Sequence, residues 1–223
     1  MRTATTVEGS GGNWAEITEF VREAEKLGLD VCWVAEAWGA DAPSLLGYLA
    51  ARTETMLLGS GVIQVGTRSP VLIAQTAMTL AHLSGGRFLL GLGVSGPQVM
   101  EGLHGVPFGH PLARMRETVQ VVRSVFAGQK VCFSGSQYRI PLPGGDGRPL
   151  RVALPPVSVP VYLATTLIGT EEMVRDRLAT WREAGVDTVR LYPAGATLAA
   201  RLDNLGRAID LVRALGPAPS LPP

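Results

Sequence analysis

Short apolar runs alternate with amphipathic helical segments along most of the chain, and this alternation constrains the fold more than any single motif. TATTVE, VCWVAE, MLLGSGVIQV, RFLLGLGV, PVYLA and TVRLYPAG read as six strands, each followed by a segment of helical pattern. In the first helix Trp14, Ile17, Phe20, Val21, Ala24 and Leu27 recur at helical spacing, with Asn13 as N-cap and Gly28 at the C-terminal cap. Asp41 and Pro43 open the second, Ser69-Pro70 open a third that ends at Ser84-Gly85-Gly86, and Pro111 opens one that stops at Gly128 after a long loop. TEEMVRDRLATWREAG and LAARLDNLGRAIDLVRALG supply the last two. VCWVAE is apolar on both faces, as a parallel strand covered on both sides must be. Repeated strand–helix units of this kind imply an α/β protein with a parallel sheet or barrel. VCFSGSQYRI reads as a small hairpin insertion, and the Pro/Gly-rich PLPGGDGRPLRVALPPVSVP is too short to separate domains. Residues 1–216 therefore read as one domain, followed by a Pro-rich tail over 217–223.

Charge and cysteine usage narrow the partners. A net charge of +1, 17% charged residues and the lack of any Lys/Arg block argue against a nucleic acid or an anionic membrane, leaving a small molecule as the expected partner. The hydrophobic fraction of 46% over 223 residues is enough to bury a real core. Cys32 and Cys132 sit in separate strand-like runs with no C-x-x-C, which suits reduced thiols and disfavours a zinc or other metal site. No apolar run approaches the roughly 18 residues of a membrane span, and the residues from Met1 to Asn13 lack the layout of a secretory signal, so a cytoplasmic protein is expected.

Small or polar residues follow each strand: Glu36, Gly61 to Gln64, Gly93 to Gln98, Thr165 and Thr166, and Pro193 to Gly195. Ligands bind at that edge of a parallel α/β sheet, whether open or closed. Gly91, Gly93 and Gly96 spell G-x-G-x-x-G, yet a dinucleotide fingerprint needs its glycines in a tight turn leading straight into a helix, with an acidic residue ending the next strand. Gly91 and Gly93 fall inside the strand, Gly96 precedes Pro97, and Glu117 lies mid-helix, so the fingerprint fails. Two readings of the glycines stay open. They relieve crowding where another backbone comes close, or they let a flat ligand approach the strand end, a concavity shared with Gly59 and Gly61.

Among the candidate reactive groups, Glu36 suits acid/base work or cofactor contact, with a buried ion pair to an arginine as the alternative. His104 and His110 flank Pro107-Phe108 in the loop over the presumed site, where they would meet substrate or donate a proton, or serve tight turns. Arg68 suits a phosphate contact or a helix cap, Gln98 faces the pocket or the loop backbone, and His82 reads as packing or surface.

Several longer elements occur together: T-R-S-P from Thr67, L-S-G-G-R-F from Leu83, L-G-L-G-V-S-G-P-Q-V from Leu90, and P-L-A-R-x-R-E-x-V from Pro111. With these the chain resembles the bacterial luciferase-like flavin- and deazaflavin-dependent oxidoreductases. The similarity extends to AEKLGLDVCWVAEAWGADAPSLLGYLAAR and to TLIGTEEMVRDRLATWREAGVDTVRLYPAG, and S-G-P-Q-V with E-G-x-H-G is similar to the subgroup using coenzyme F420 rather than FMN. The resemblance implies a TIM-type (β/α) barrel, here incomplete. A full barrel takes about 250 residues, and PVYLA, which resembles the fifth strand, runs almost directly into the approach to the last helix–strand unit, so the region of strands six and seven is lacking.

The same resemblance implies hydride transfer between coenzyme F420 and a small organic substrate, with an FMN-dependent monooxygenase or a catalytically degenerate flavin-binding homologue as alternatives. It lays the tricyclic ring over Glu36, Ala37, Gly61, Val62, Gln64, Gly93, Val94, Ser95, Gly96, Pro97, Val99 and Thr165, with Glu36 and His104 as catalytic candidates. It also implies a non-proline cis peptide in the third strand, placed at Gly61-Val62, and a homodimer through the helices near Pro43 to Arg52 and Pro70 to Leu83.

Overall fold

The structure is a computed structural model describing residues 4–9, 11–145, 147–164, 171–183 and 188–189, together with Ala200, Asp203, Arg207, Asp210, Leu211 and Ala214. The chain divides into two compact units, Met1–Val161 and Tyr162–Pro223.

In the first unit β1 (Ala4–Glu8), α1 (Trp14–Lys26), β2 (Val31–Ala35), α2 (Ala42–Ala50) and β3 (Leu57–Ser60) are followed by β4 (Ile63–Gln64), α3 (Pro70–Leu83) and β5 (Phe88–Gly93). Then come α4 (Pro97–Met100), α5 (Pro111–Phe126), and the antiparallel pair β6 (Phe133–Ser134) and β7 (Arg139–Ile140). The main strands run in the order β1, β2, β3, β5, all parallel, which is the α/β arrangement expected from the alternation. Every residue of β5 is buried, so this strand lies at the centre of the unit's core. β3 and β4 are two segments against one neighbour: Gly59 pairs with Leu89, and Ile63 and Gln64 pair with Leu92 and Gly93. The break between them holds the cis peptide Gly61-Val62, at the bond expected for it.

Local chemistry sets the helix boundaries. The side chains of Asp41 and Ser69 accept the backbone N–H of Ser44 and Leu72, satisfying donors that the first turn leaves unpaired. Gly28, Gly85, Gly86 and Gly128 adopt positive φ just beyond the helices they end, a conformation that costs glycine nothing. Behind the Gly85-Gly86 turn, the Arg87 guanidinium donates to the carbonyls of Ala50, Thr53 and Met56 and to the Thr53 hydroxyl. It thereby closes the C-terminal end of α2, where carbonyls lack helical partners.

Two features differ from the sequence expectation, and a third, the burial of mid-helix Glu117, adds to it. Of the apolar stripe on α1 only Val21 is buried, while Trp14, Phe20 and Leu27 remain exposed. The long loop before Pro111 contains a helical turn, α4, opened by extended Gly96 and by Pro97 and closed by bonds from Val99 and Met100 to the Gly96 carbonyl. Glu117 is buried on α5, where its carboxylate accepts the N–H groups of Ser136, Gln137 and Tyr138 and the Ser136 hydroxyl, fastening the β6–β7 turn to the helix.

The second unit contains most of β8 (Val161–Ala164), then α6 (Glu171–Glu183) and β9 (Thr188–Val189). Tyr162 and Leu163 pair in parallel with Thr188 and Val189, so the three elements form a strand–helix–strand unit. Val174, Leu178 and Trp181 form the buried face of α6. Beyond β9 the six described residues from Ala200 to Ala214 are helical.

Candidate functional site

The C-terminal ends of β2, β4 and β5 bring most of the expected site residues together. Gly61 N–H donates to the Val34 carbonyl at 2.7 Å, and Val65 N–H to the Gly93 carbonyl at 2.9 Å, so the backbone at this edge is knitted across three strands. Gln64 lies in register beside Gly93. The Gln64 Nε2 donates to the carbonyls of Glu36 and Ala37, each at 3.4 Å. Its Oε1 is buried and accepts no hydrogen bond.

Glu36 forms the ion pair that the sequence left open. Arg68 Nη1 and Nη2 meet its two carboxylate oxygens at 2.5 and 3.1 Å, and Oε2 also accepts the Ala42 N–H at 2.8 Å. The side chains are 8% and 18% exposed, so the pair is shielded from water. Arg68 thus secures Glu36 instead of capping a helix, and Glu36 supplies a fixed acceptor at the start of α2.

The glycines divide between the two readings. A Cβ on Gly59 would strike the Trp33 indole, and one on Gly91 would strike the Ser60 carbonyl, with Trp33 Cζ3 3.6 Å away. The concavity shared by these strands is therefore filled by an indole and a neighbouring backbone at Gly59 and Gly91, which is the crowding explanation. A Cβ on Gly61 would lie 3.1 Å from Trp33 Cβ, beside the same side chain. Ser60 reinforces the close approach, since its hydroxyl donates to the Gly91 carbonyl and accepts the Gly91 N–H, both at 2.9 Å. Sequence reading overlooked Trp33. The signal that would have found it is a large aromatic in β2 whose register partner in β3 is a glycine.

After β5 the chain turns sharply at Ser95, which holds φ at 61°, and passes through half-buried Val94 and Gly96 to exposed Pro97 and buried Val99 on α4. A non-glycine residue in this region costs on the order of 1 kcal/mol and is typically held by its surroundings. Exposed His110 holds φ at 48° just before α5 and caps it with no side-chain bond. His104 is exposed, as are Gln98 and His82. A shallow apolar depression lies between Val65, Val94, Met100 and Phe108, with Arg114 at its edge. Beneath this edge Cys32 is fully buried in β2, where desolvation pushes its thiol up to about 12. Thr165 and Thr166 lie outside the described residues.

The family model for luciferase-like monooxygenases matches residues 2–166. The chain belongs to that family. A Mycobacterium tuberculosis protein to which a coenzyme F420-dependent oxidoreductase activity is assigned is 47% identical over 144 residues, a match covering 64% of this chain and 42% of that relative. The chain therefore covers less than half of this curated relative's length. An F420-dependent secondary alcohol dehydrogenase solved with an F420-acetone adduct superposes with a TM-score of 0.75 at 19% identity, over 99% of this chain and 67% of that one. The oxygenating constituent of 3,6-diketocamphane monooxygenase from Pseudomonas putida, solved with FMN, gives a TM-score of 0.74 at 14% identity, over 99% of this chain and 64% of that one. These likenesses identify the fold as that of the family's TIM-type barrels, over the part of the barrel that this chain covers.

Proposed function

We propose that the chain binds coenzyme F420 at the C-terminal ends of β2, β4 and β5 and serves hydride transfer between it and a small organic substrate. The observation that carries this reading is the buried, unsatisfied Gln64 Oε1 beside Gly93. A buried acceptor without a partner costs about 1–3 kcal/mol, and a ring N–H entering next to Gly93 removes that cost. The relative at 47% identity, named for F420 dependence, supports the choice of cofactor. When bound, the deazaflavin supplies the hydride chemistry, while the protein supplies orientation and a dry face. In this reading Gly61, Val62, Gln64, Gly93, Val94 and Ser95 line the ring, and Glu36, Ala37, Gly96, Pro97 and Val99 complete its surroundings. Glu36 is committed to Arg68 and Ala42 N–H, so its role is to hold the β2–α2 loop in place. Exposed His104 is the better candidate for moving a proton.

A second reading, FMN as the cofactor of a monooxygenase, is favoured by the fold likeness to the FMN-bound oxygenating protein. Calorimetric titration with F420 and with FMN, each oxidised and reduced, separates the two. Selective F420 binding is expected, selective FMN binding would favour the second reading, and no binding would leave a degenerate homologue. Exposed Tyr48, Leu72 and Leu83 on α2 and α3 support a homodimer through these helices, and a monomer by light scattering at micromolar concentration would refute it.

A further inference from the structure

The depression bounded by Val65, Val94, Met100 and Phe108 has one charged lining residue, Arg114. Val65 and Val94 directly follow Gln64 and Gly93, and the Val65 N–H donates to the Gly93 carbonyl, so the depression shares a wall with the strand edge. It holds about 200 Å3 of empty space. At about 30 Å3 per water this is the room of roughly seven waters, which admits a branched group of about five carbons and excludes a tricyclic ring.

Arg114 is the group in this depression that lacks a full set of partners. Arg68 is engaged by Glu36, and Arg87 by backbone carbonyls and the Thr53 hydroxyl. Half-buried Arg114 donates only to the Pro107 carbonyl, at 3.5 Å, and no carboxylate among the described residues pairs with it. The Glu101 carboxylate, which borders the same loop, accepts the Phe108 N–H at 3.0 Å. Gly66 keeps the guanidinium within reach, because a Cβ there would strike the Met100 methyl and lie 3.3 Å from Arg114 Nη1. A guanidinium carries five N–H donors, so most of these are left for an acceptor that arrives from outside the chain.

We propose that this depression is a substrate subsite for a small organic acid, whose branched alkyl part lies against Val65, Val94, Met100 and Phe108 and whose carboxylate meets Arg114. The proposal rests on the cofactor reading above and names the class of its substrate. An aliphatic carboxylate satisfies the guanidinium while presenting only carbon to the apolar walls. A polyol of the same size would leave hydroxyls buried without partners.

Methionine methyl NMR reads this site directly, because Met100 lines it whereas buried Met56 and Met78 do not. The whole chain, labelled at its methionine methyls, is titrated with isovalerate and with isovaleramide, its neutral isostere, and Met100→Leu assigns the signal. The Met100 methyl is expected to shift with isovalerate and to saturate about tenfold below the concentration isovaleramide requires, as one charge-assisted hydrogen bond implies. Arg114→Gln should bind isovalerate no better than the amide, and Arg114→Lys should keep part of the preference because it keeps the charge. An unmoved Met100 methyl, equal binding of the two probes by wild type, or an undiminished preference in Arg114→Gln overturns the assignment. Circular dichroism checks that Arg114→Gln folds. Should it not fold, the wild-type preference for isovalerate must shrink as salt is raised, and a preference independent of salt refutes the proposal.

Repeating the titration with F420 present separates this inference from the cofactor reading. The two ligands are expected to bind together. Mutual exclusion would assign Arg114 to an anionic part of the cofactor and overturn the substrate subsite. If F420 binds and the Met100 methyl ignores isovalerate, only this inference falls. If isovalerate binds through Arg114 and F420 does not bind, the cofactor reading falls and the organic-acid site stands.

Discussion

Arg68 grips Glu36 through both ends of its guanidinium, at 2.5 and 3.1 Å, and this pair ties the loop after β2 to the loop after β4. Both loops border the strand edge where Gln64 presents its free oxygen, so the pair holds the rim of the candidate site. A planar fork matched to a carboxylate is something lysine cannot reproduce.

Breaking this pair should be costly. Glu36→Ala leaves a shielded guanidinium unpaired and is expected to destabilise the protein by roughly 3 kcal/mol, read as a lower urea midpoint. Arg68→Lys should recover only part of that loss. A Glu36→Ala protein as stable as wild type would show that the pair contributes nothing to the fold.

Crowding at the glycines gives a second prediction. Gly91→Ala places its Cβ against the Ser60 carbonyl and should cost about 3 kcal/mol, because backbone cannot yield as a side chain can. The atoms nearest a Cβ at Gly59 all belong to the Trp33 indole, so Trp33→Leu should restore much of the loss in Gly59→Ala. Thermal melts of the two single variants and the double variant measure this coupling, and strict additivity would exclude the contact as its cause.

Acid stability should depend on Glu117 and Glu25. Burial alone would raise the pKa of Glu117, but the hydrogen bonds from Gln137, Ser136 and Tyr138 outweigh it and hold the carboxyl below its ordinary value of 4.5. Glu25 is lowered in the same way, burial being outweighed by the N–H groups of Met56, Thr55 and Glu54 and by the Thr55 hydroxyl. A carboxylate with a depressed folded pKa stabilises the fold fully above the unfolded value, and this contribution is lost as pH falls through the folded value. Glu117→Ala should therefore lose about 2 kcal/mol at neutral pH and show a flatter decline below pH 4.5 than wild type in urea titrations. An unchanged acid limb would contradict this account.

Thiol chemistry should separate the two cysteines. Cys32 is buried with its thiol pushed up to about 12, whereas Cys132 is exposed. A chromogenic disulfide reagent should titrate Cys132 alone in the native protein and both residues in denaturant, and rapid native labelling of Cys32 would show that β2 opens readily.

Features written in neighbouring residues were legible in the sequence. Ser69 and Asp41 cap helices through donors three positions away, and Gly28 and Gly128 end them by their own φ, so the pattern needed no tertiary knowledge. That β1, β2, β3 and β5 pair in parallel followed from the same alternation. Trp33 over Gly59 was not legible, nor was Glu117 beneath the β6–β7 turn, because each contact joins separate elements and leaves no local signature. α4 escaped because a single turn opened by Pro97 is too short to show a period. At the site, the polar strand ends pointed to the edge where Glu36, Gln64 and Gly61 come together, and the resemblance located the Gly61-Val62 bond. The orientation of the Gln64 amide depended on two carbonyls from another loop.

A crystal structure of the chain with oxidised coenzyme F420 tests the central claim most directly. The account predicts the tricyclic ring at the ends of β2, β4 and β5, with its imide N–H within hydrogen-bonding distance of Gln64 Oε1. A ring bound elsewhere, or this edge left empty at saturating cofactor, would contradict it.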